Sequence, residues 1–326
     1  MTKFLPKLDR FTIGLLLSVS LGLLLPCVGV WDMVFSLLSD SAIILLFFLY
    51  GARLSRKSIW EGITHWRLQG LVALSTFVLF PLMGLAFRPL WELALGQELS
   101  LGMLYVCMLP STVQSSITFT SIAKGNVAAA ICSASISSLL GVFLTPLLVG
   151  FVWSTQGGGV DFSTFVDICL IILVPFVVGQ FAQRWIGAWV IHHKHITSWT
   201  DHSTIWLVVY TAFSHAMNEG MWSSLPILAL VKVLGFCAVL LFLVLVITYY
   251  GAKKLGFSRE DQLAIVFCGS KKSLATGIPM MNVIFAGFAL GQLMIPVMIF
   301  HQLQLMVCAI LARRWGRSHE SSETDE

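Results

Sequence analysis

Long apolar runs separated by short polar or charged clusters set the pattern of the chain. Ten such runs are legible, at about 11–30, 34–52, 68–87, 99–124, 126–150, 162–183, 203–213 and a little beyond, 225–250, 262–286 and 290–311. A helix needs about 20 apolar residues to cross the roughly 30 Å hydrocarbon layer. The pattern therefore predicts an all-α polytopic membrane protein with ten transmembrane helices. The first run follows Lys3, Lys7 and Arg10 like a signal peptide. It is long and lacks a small-residue cleavage site, so it reads as an uncleaved span. RWIGAWVIHHKHITSWTDH, after the sixth run, reads as an interfacial segment with tryptophans at headgroup level.

Two of the ten runs carry polar residues at mid-depth. The fourth holds LPSTVQSS: Pro110 lacks a donor and disfavours helix at Leu109, which opens the helix. Ser111, Thr112, Gln114, Ser115 and Ser116 then offer oxygens beside freed carbonyls, although such residues also cap kinks and let helices pack closely. The ninth holds FCGSKKSLATGIPMM. Lys271 lies roughly 14 Å of helical rise from Gln262, about halfway through the hydrocarbon, so neither Lys271 nor Lys272 can reach water by stretching. Each ammonium costs at least about 2.5 kcal/mol there. Gly269, Ser270 and Ser273 mark a helix break. The lysines can hold the broken helices together in place of a cation while offering charge to an anion. One of them can instead carry a coupling proton, or they can pair with freed carbonyls or a carboxylate such as Asp32, Asp40 or Glu219. Ser133 and Ser137 share a face of the fifth run, and His301, Gln302 and Gln304 sit mid-way along the tenth.

The loop WSTQGGGVDFS divides the runs into a first half, 1–153, and a second half, 162–312, followed by a cytoplasmic polar tail, 313–326. Five spans per half invert the second relative to the first, and the break falls on the fourth span of each, as in inverted-repeat transporters. With the N-terminus inside, most of the 20 Lys and Arg fall on cytoplasmic segments, so both termini are expected there. Lys232, near the outer end of the eighth run, is expected to snorkel.

Composition agrees with a membrane protein: 57% of residues are hydrophobic and 11% charged, with mean hydropathy +0.87. Seven cysteines fall in apolar stretches at no metal-ligand spacing, which predicts buried thiols rather than disulfides or a metal site. The His192, His193, His195 and His202 cluster reads as a solvated loop. No nucleotide-binding glycine motif, nucleophile elbow or HExxH sequence is present, so no catalytic residue and no cofactor are expected.

LPSTVQSSITFTSIAKGNVAAA resembles the PGGxxSN…T…ARGN-V-A pattern of the bile acid:sodium symporter family. FCGSKKSLATGIPM is similar to the branch typified by the seventh vertebrate member of that solute-carrier family. The resemblance implies a 5+5 inverted repeat with broken, crossing helices 4 and 9, and a panel domain of spans 1, 2, 6 and 7 beside a core domain. It places the family's sodium-ligating Ser-Asn pair on Ser115 and Ser116. Its Glu-x-Gly-x-Gln-Asn falls on Phe267, Gly269, Lys271 and Lys272, and its crevice His-Asn is similar to His301 and Gln302. The sodium-binding carboxylate is therefore replaced by an apolar residue, and two cations occupy the site. Unit charges 4 Å apart at an effective dielectric near 20 repel by about 4 kcal/mol, which weighs against two-sodium coupling.

The resulting expectation is a secondary transporter of a small organic anion in the inner membrane, working by alternating access with substrate between core and panel. Its partners would be that anion, a proton or sodium as coupling ion, and the lipid bilayer, without nucleic acid. Two other readings are a non-transporting regulator of cation homeostasis, for which the lysines would be dispensable, and a cation/proton antiporter or channel on a related fold, which would pass ions without organic substrate.

Overall fold

The computed structural model describes residues 10–53, 65–154, 162–218, 220, 226–286, 288 and 290–323. Among them no strand occurs. The helices are α1 (Arg10–Leu24), α2 (Val30–Arg53), α3 (Trp66–Leu95), α4 (Gln97–Met108), α5 (Val113–Ile122), α6 (Val127–Ser154), α7 (Phe162–His192), α8 (Lys194–Asn218), α9 (Ile227–Lys254), α10 (Arg259–Gly269), α11 (Leu274–Ile284) and α12 (Leu290–Glu323). Among the described residues, 6 helices are long and apolar enough to cross a membrane: α2, α3, α9, and the apolar stretches of α6, α7 and α12. This defines a polytopic membrane protein. The fourth and ninth apolar runs each appear as two short helices, α4/α5 and α10/α11, interrupted at 109–112 and 270–273. The polar residues had marked both places.

Two boundaries differ from the hydropathy pattern. The first helix stops at Leu24. Pro26 disfavours helix at Leu25, and Gly29 takes the left-handed φ of 63° before α2 begins. The tryptophan- and histidine-rich stretch after the sixth run is not a separate segment. It continues α7 to His192, and α8 resumes at Lys194. Its Trp185, Trp189 and Trp199 remain at least half exposed.

The chain divides into two compact units that do not follow the two sequence halves, since each draws helices from both. Unit 1 comprises residues up to 54, 160–227 and 278–294; unit 2 comprises the rest. Unit 1 thus holds α1, α2, α7 and α8 together with most of α11 and the start of α12.

In unit 1, α2 lies along α7 and α1 along α8. Without a hydrophobic drive inside lipid, such pairs depend on close packing of small residues. Gly51 of α2 sits against Phe176 O of α7, and Gly179 of α7 against Phe48 O of α2. Each backbone thus rests in the gap left by the other's missing Cβ. Arg53 closes one end, with Nη1 donating to Asp201 Oδ2 at 2.6 Å and Nη2 to Asp201 Oδ1 at 3.1 Å and Thr197 O at 2.9 Å. Burial raises the Asp201 carboxyl above its ordinary pKa, against the opposing hydrogen bonds and charge of Arg53. At the other end the 25–29 link is tied to α8: Cys27 N donates to Ser214 Oγ at 2.7 Å, and Asn218 Nδ2 to Cys27 O at 2.9 Å. His215 Nε2 lies 2.5 Å from Asp32 Oδ1.

In unit 2, α10 packs on α3, α5 and α6. Apolar clusters flank it: Leu68, Val72, Ala129, Ala130, Ala252 and Ile265 on one side, and Ala123, Leu263, Phe267, Cys308 and Ala312 on another. Lys232 Nζ reaches Ala94 O at 3.0 Å, capping the end of α3 rather than sitting free. The cysteines whose side chains are described, Cys27, Cys107, Cys132, Cys237, Cys268 and Cys308, are buried and outside any disulfide. Cys169 lies outside the described side chains.

Candidate functional site: two helix breaks joined around Lys272

A broken helix inside a membrane must find partners for each backbone group it frees. In unit 2 the two breaks largely supply one another. At the first break Leu109 is extended, with φ −73° and ψ 152°. Ser111 N would ordinarily donate to Cys107 O and instead donates to Ser137 Oγ at 3.0 Å. Met108 O accepts from Thr145 Oγ1 at 2.8 Å, and Pro110 O from Ser273 N of the second break at 2.8 Å. At the second break Phe267 O accepts from Ser116 Oγ at 3.0 Å, Cys268 O from Ser111 Oγ at 2.6 Å and Gly269 O from Ser75 Oγ at 2.8 Å. Ser270 Oγ turns back to Val266 O at 2.6 Å. Ser273 Oγ accepts from Thr276 N at 3.2 Å and so caps α11.

Cys107 O and Leu109 O remain, and Lys272 Nζ takes both, at 2.9 and 2.7 Å. Its third proton goes to Thr76 O at 2.8 Å. That carbonyl is free for a local reason. Residues Ser75–Leu79 form a π-helical turn in which Phe80 N donates to Ser75 O rather than to Thr76 O. Pro81, the next candidate, has no N–H. The ammonium thus makes three charge-assisted bonds to backbone carbonyls, with the Phe80 ring centroid 4.0 Å away. Lys272 is 2% exposed.

Gln304 of α12 fixes the Lys272 backbone: its Oε1 accepts from Lys272 N and its Nε2 donates to Lys272 O, both at 2.7 Å. The same Nε2 lies 3.0 Å from His301 Nδ1. His301 Nδ1 also lies 3.4 Å from Lys272 O, so its ring joins the same group of contacts. Gln304→Leu leaves Lys272 N unpaired and Lys272 O with only His301 Nδ1, 3.4 Å away, in a buried site. We expect a loss of about 2–4 kcal/mol of stability, at roughly 1–3 kcal/mol per orphaned group. Thermal melting of the purified protein in detergent measures it.

Lys271 is placed differently. Its ammonium is fully buried and makes one long hydrogen bond, to Ser115 Oγ at 3.4 Å, with the Phe119 ring centroid at 4.4 Å and that of Phe267 at 5.7 Å. Among the described residues neither lysine forms an ion pair. Glu219 lies outside the described residues.

Of the residues singled out in the sequence, Ser111, Ser115, Ser116, Ser137, Ser270, Lys271, Lys272, Ser273 and His301 meet in this cluster. Thr112 Oγ1 lies 2.7 Å from Ser115 Oγ. Ser133 is buried and its hydroxyl finds no partner in the structure. Gln114 is exposed and Gln302 half-buried. Sequence reasoning passed over Ser75, Thr76, Tyr105 and Thr145 and gave Gln304 no distinct task. Tyr105 Oη donates to Gly277 O at 2.7 Å. An available signal was the polar pair Ser75–Thr76 ahead of Pro81 in an otherwise apolar span.

The model of the SBF-like CPA transporter family matches residues 9–317. The chain belongs to the SBF-like CPA transporter family, a family of bile acid symporter-like membrane transporters rather than of enzymes. It is 53% identical to the uncharacterized protein PA2026 of Pseudomonas aeruginosa over 321 residues, covering 98% of this chain and 96% of that one. Against the putative symporter YfeH of Escherichia coli K12 the figures are 48% over 319 residues, covering 98% and 96%. Sodium/bile acid cotransporter 7-A of Xenopus laevis is 28% identical over 326 residues, covering 96% and 94%.

Proposed function

We propose that this chain is a secondary active transporter that carries a small organic anion across the inner membrane by alternating access, with the Lys272 ammonium standing where a coupling sodium ion would be held. The observation that carries this reading is the cage of Thr76 O, Cys107 O and Leu109 O around Lys272 Nζ. Carbonyls aimed at one point from separate elements are the usual lodging of a monovalent cation in a membrane. Here the cation is covalently attached. Lys271 adds a second positive charge close by, without a strong partner, which favours an anion over a cation as the transported species. The relatives named as symporter and bile acid cotransporter support solute transport as the task.

In this reading the chain forms ten spans as a 5+5 inverted repeat, 1–153 and 162–312, in which α4/α5 and α10/α11 are the equivalent broken members and cross at their breaks. Both termini are cytoplasmic, from the placement of basic residues. His301 and Gln302 line the substrate path beside Ser115 and Lys271.

The test is uptake into proteoliposomes of a panel of labelled organic anions, with sodium replaced by choline and pH varied separately. The expected result is accumulation of at least one anion at an undiminished rate in choline. Strict sodium dependence would overturn the role of Lys272. Proton or cation flux without any organic anion would replace the reading with an antiporter or channel.

A further inference from the structure

One end of unit 2 gathers the start of α3, the α5–α6 link, the end of α9, the start of α10 and the late turns of α12. Arg259 Nη2 donates to Trp315 O at 2.8 Å, and Tyr249 stacks on Trp315 with ring centroids 5.9 Å apart. Asn126 N donates to Glu260 O at 3.0 Å, and Arg67 Cζ sits 5.5 Å over the Phe257 ring.

Those contacts bring the last turn of α9 beside α12. Lys253 lies one turn beyond Tyr249, and Arg314 adjoins Trp315. Lys253, Lys254, Arg313 and Arg314 are all exposed, and among the described residues none of them is in an ion pair. Of the carboxylates here, Asp261 is engaged by Asn126 Nδ2 at 2.8 Å. A favourable meeting with the α9 dipole accounts for Lys253 and Lys254. It does not account for Arg313 and Arg314, which lie well inside α12, a helix of 34 residues. Both α9 and α12 are apolar up to these positions, so the charges stand where hydrocarbon gives way to headgroups. Tyr250, 62% exposed, and Leu255, 51% exposed, border them with amphipathic and apolar surface.

We propose that this basic end of unit 2 is a binding surface for anionic phospholipid headgroups. Arg313 and Arg314 would grip phosphate oxygens through their forked donors, and Lys253 and Lys254 would add point charge. The adjoining apolar and aromatic surface separates this occupant from a soluble polyanion, because it suits acyl chains attached to the phosphate.

The experiment uses the full chain in detergent and titrates phosphatidylglycerol, phosphatidylcholine and inorganic phosphate. Thermal melting and native mass spectrometry of retained lipid are the readouts. Wild type is expected to retain phosphatidylglycerol and gain melting temperature with it, and to respond to neither phosphatidylcholine nor phosphate. Each basic side chain near an anionic surface is worth roughly fivefold in binding. The combined Lys253→Ala, Lys254→Ala, Arg313→Ala and Arg314→Ala variant should therefore weaken retention at least about tenfold. A charge-keeping variant, Lys253→Arg with Lys254→Arg, should hold it. Equal response to both lipids in wild type overturns the proposal without recourse to a variant. A shift reproduced by phosphate alone overturns it too, in favour of a soluble-anion site.

Discussion

Lys272→Met is expected to destabilise the protein by about 3–5 kcal/mol, whereas Lys271→Met, one residue away, should change stability by about 1 kcal/mol or less, or raise it. Breaking a buried charged arrangement by removing one partner costs that larger amount because what remains is left uncompensated. For Lys272 three carbonyls remain, from Thr76, Cys107 and Leu109, without the charge that held them together. They belong to two separate elements, so neither α3 nor the α4–α5 break can relax to satisfy them without moving the other. Lys271 has only Ser115 Oγ at 3.4 Å and aromatic faces to offset its burial. Exchanging such a charge for an isosteric apolar chain removes more desolvation cost than attraction. Thermal melting of both variants in the same detergent compares them directly. Transport should fail in both, for different reasons: in Lys272→Met because the breaks lose their shape, in Lys271→Met because the anion loses its counter-charge.

The second large effect is expected at the α2–α7 contact in unit 1. Gly179→Leu should abolish accumulation of folded protein, and Gly51→Leu should do the same. A Cβ at Gly179 would land inside the Phe48 carbonyl oxygen, and one at Gly51 inside that of Phe176. The obstructing atoms are backbone, so no rotamer change relieves the clash, and the helices must separate along their whole contact. Separation also pulls Leu49, Ala52 and Val190 apart and strains the grip of Arg53 on Asp201. Gly70→Leu serves as the control, since a Cβ there meets open space. Fluorescence-detected size-exclusion of solubilised membranes reads all three. A monodisperse peak for Gly179→Leu at the wild-type level would contradict the packing described.

Much of this arrangement is legible in the sequence, and the reasons are local. Pro110 and the Gly269–Ser270 pair announce helix breaks because backbone donors and conformational limits are properties of single residues. Burial of Lys271 and Lys272 followed from their distance to the ends of an apolar run. What stayed hidden depends on partners far along the chain. Thr76 O lies 196 positions from Lys272, and its availability arises from a π-helical turn that only Pro81 hints at. Which of two adjacent lysines is caged turns on side-chain direction at a break, where no helical period applies. Nothing in the sequence marks Gln304 rather than Gln302 as the residue that faces the Lys272 peptide. In unit 1 the reciprocal glycines look like any others in apolar spans until the helices are set side by side. The early stop of α1 was readable from Pro26 and Gly29, but hydropathy alone runs through it.

The central claim, that Lys272 is a tethered cation, is tested most directly by melting Lys272→Ala in ammonium chloride and in choline chloride at equal ionic strength. The truncated side chain leaves the three-carbonyl cage empty, and free ammonium fits the N···O distances of 2.7 to 2.9 Å that Nζ now makes. The account predicts that ammonium raises the variant's melting temperature by several degrees over choline, while wild type melts alike in ammonium, sodium and choline. Identical melting of the variant in both salts, or stabilisation of wild type by sodium, would contradict it.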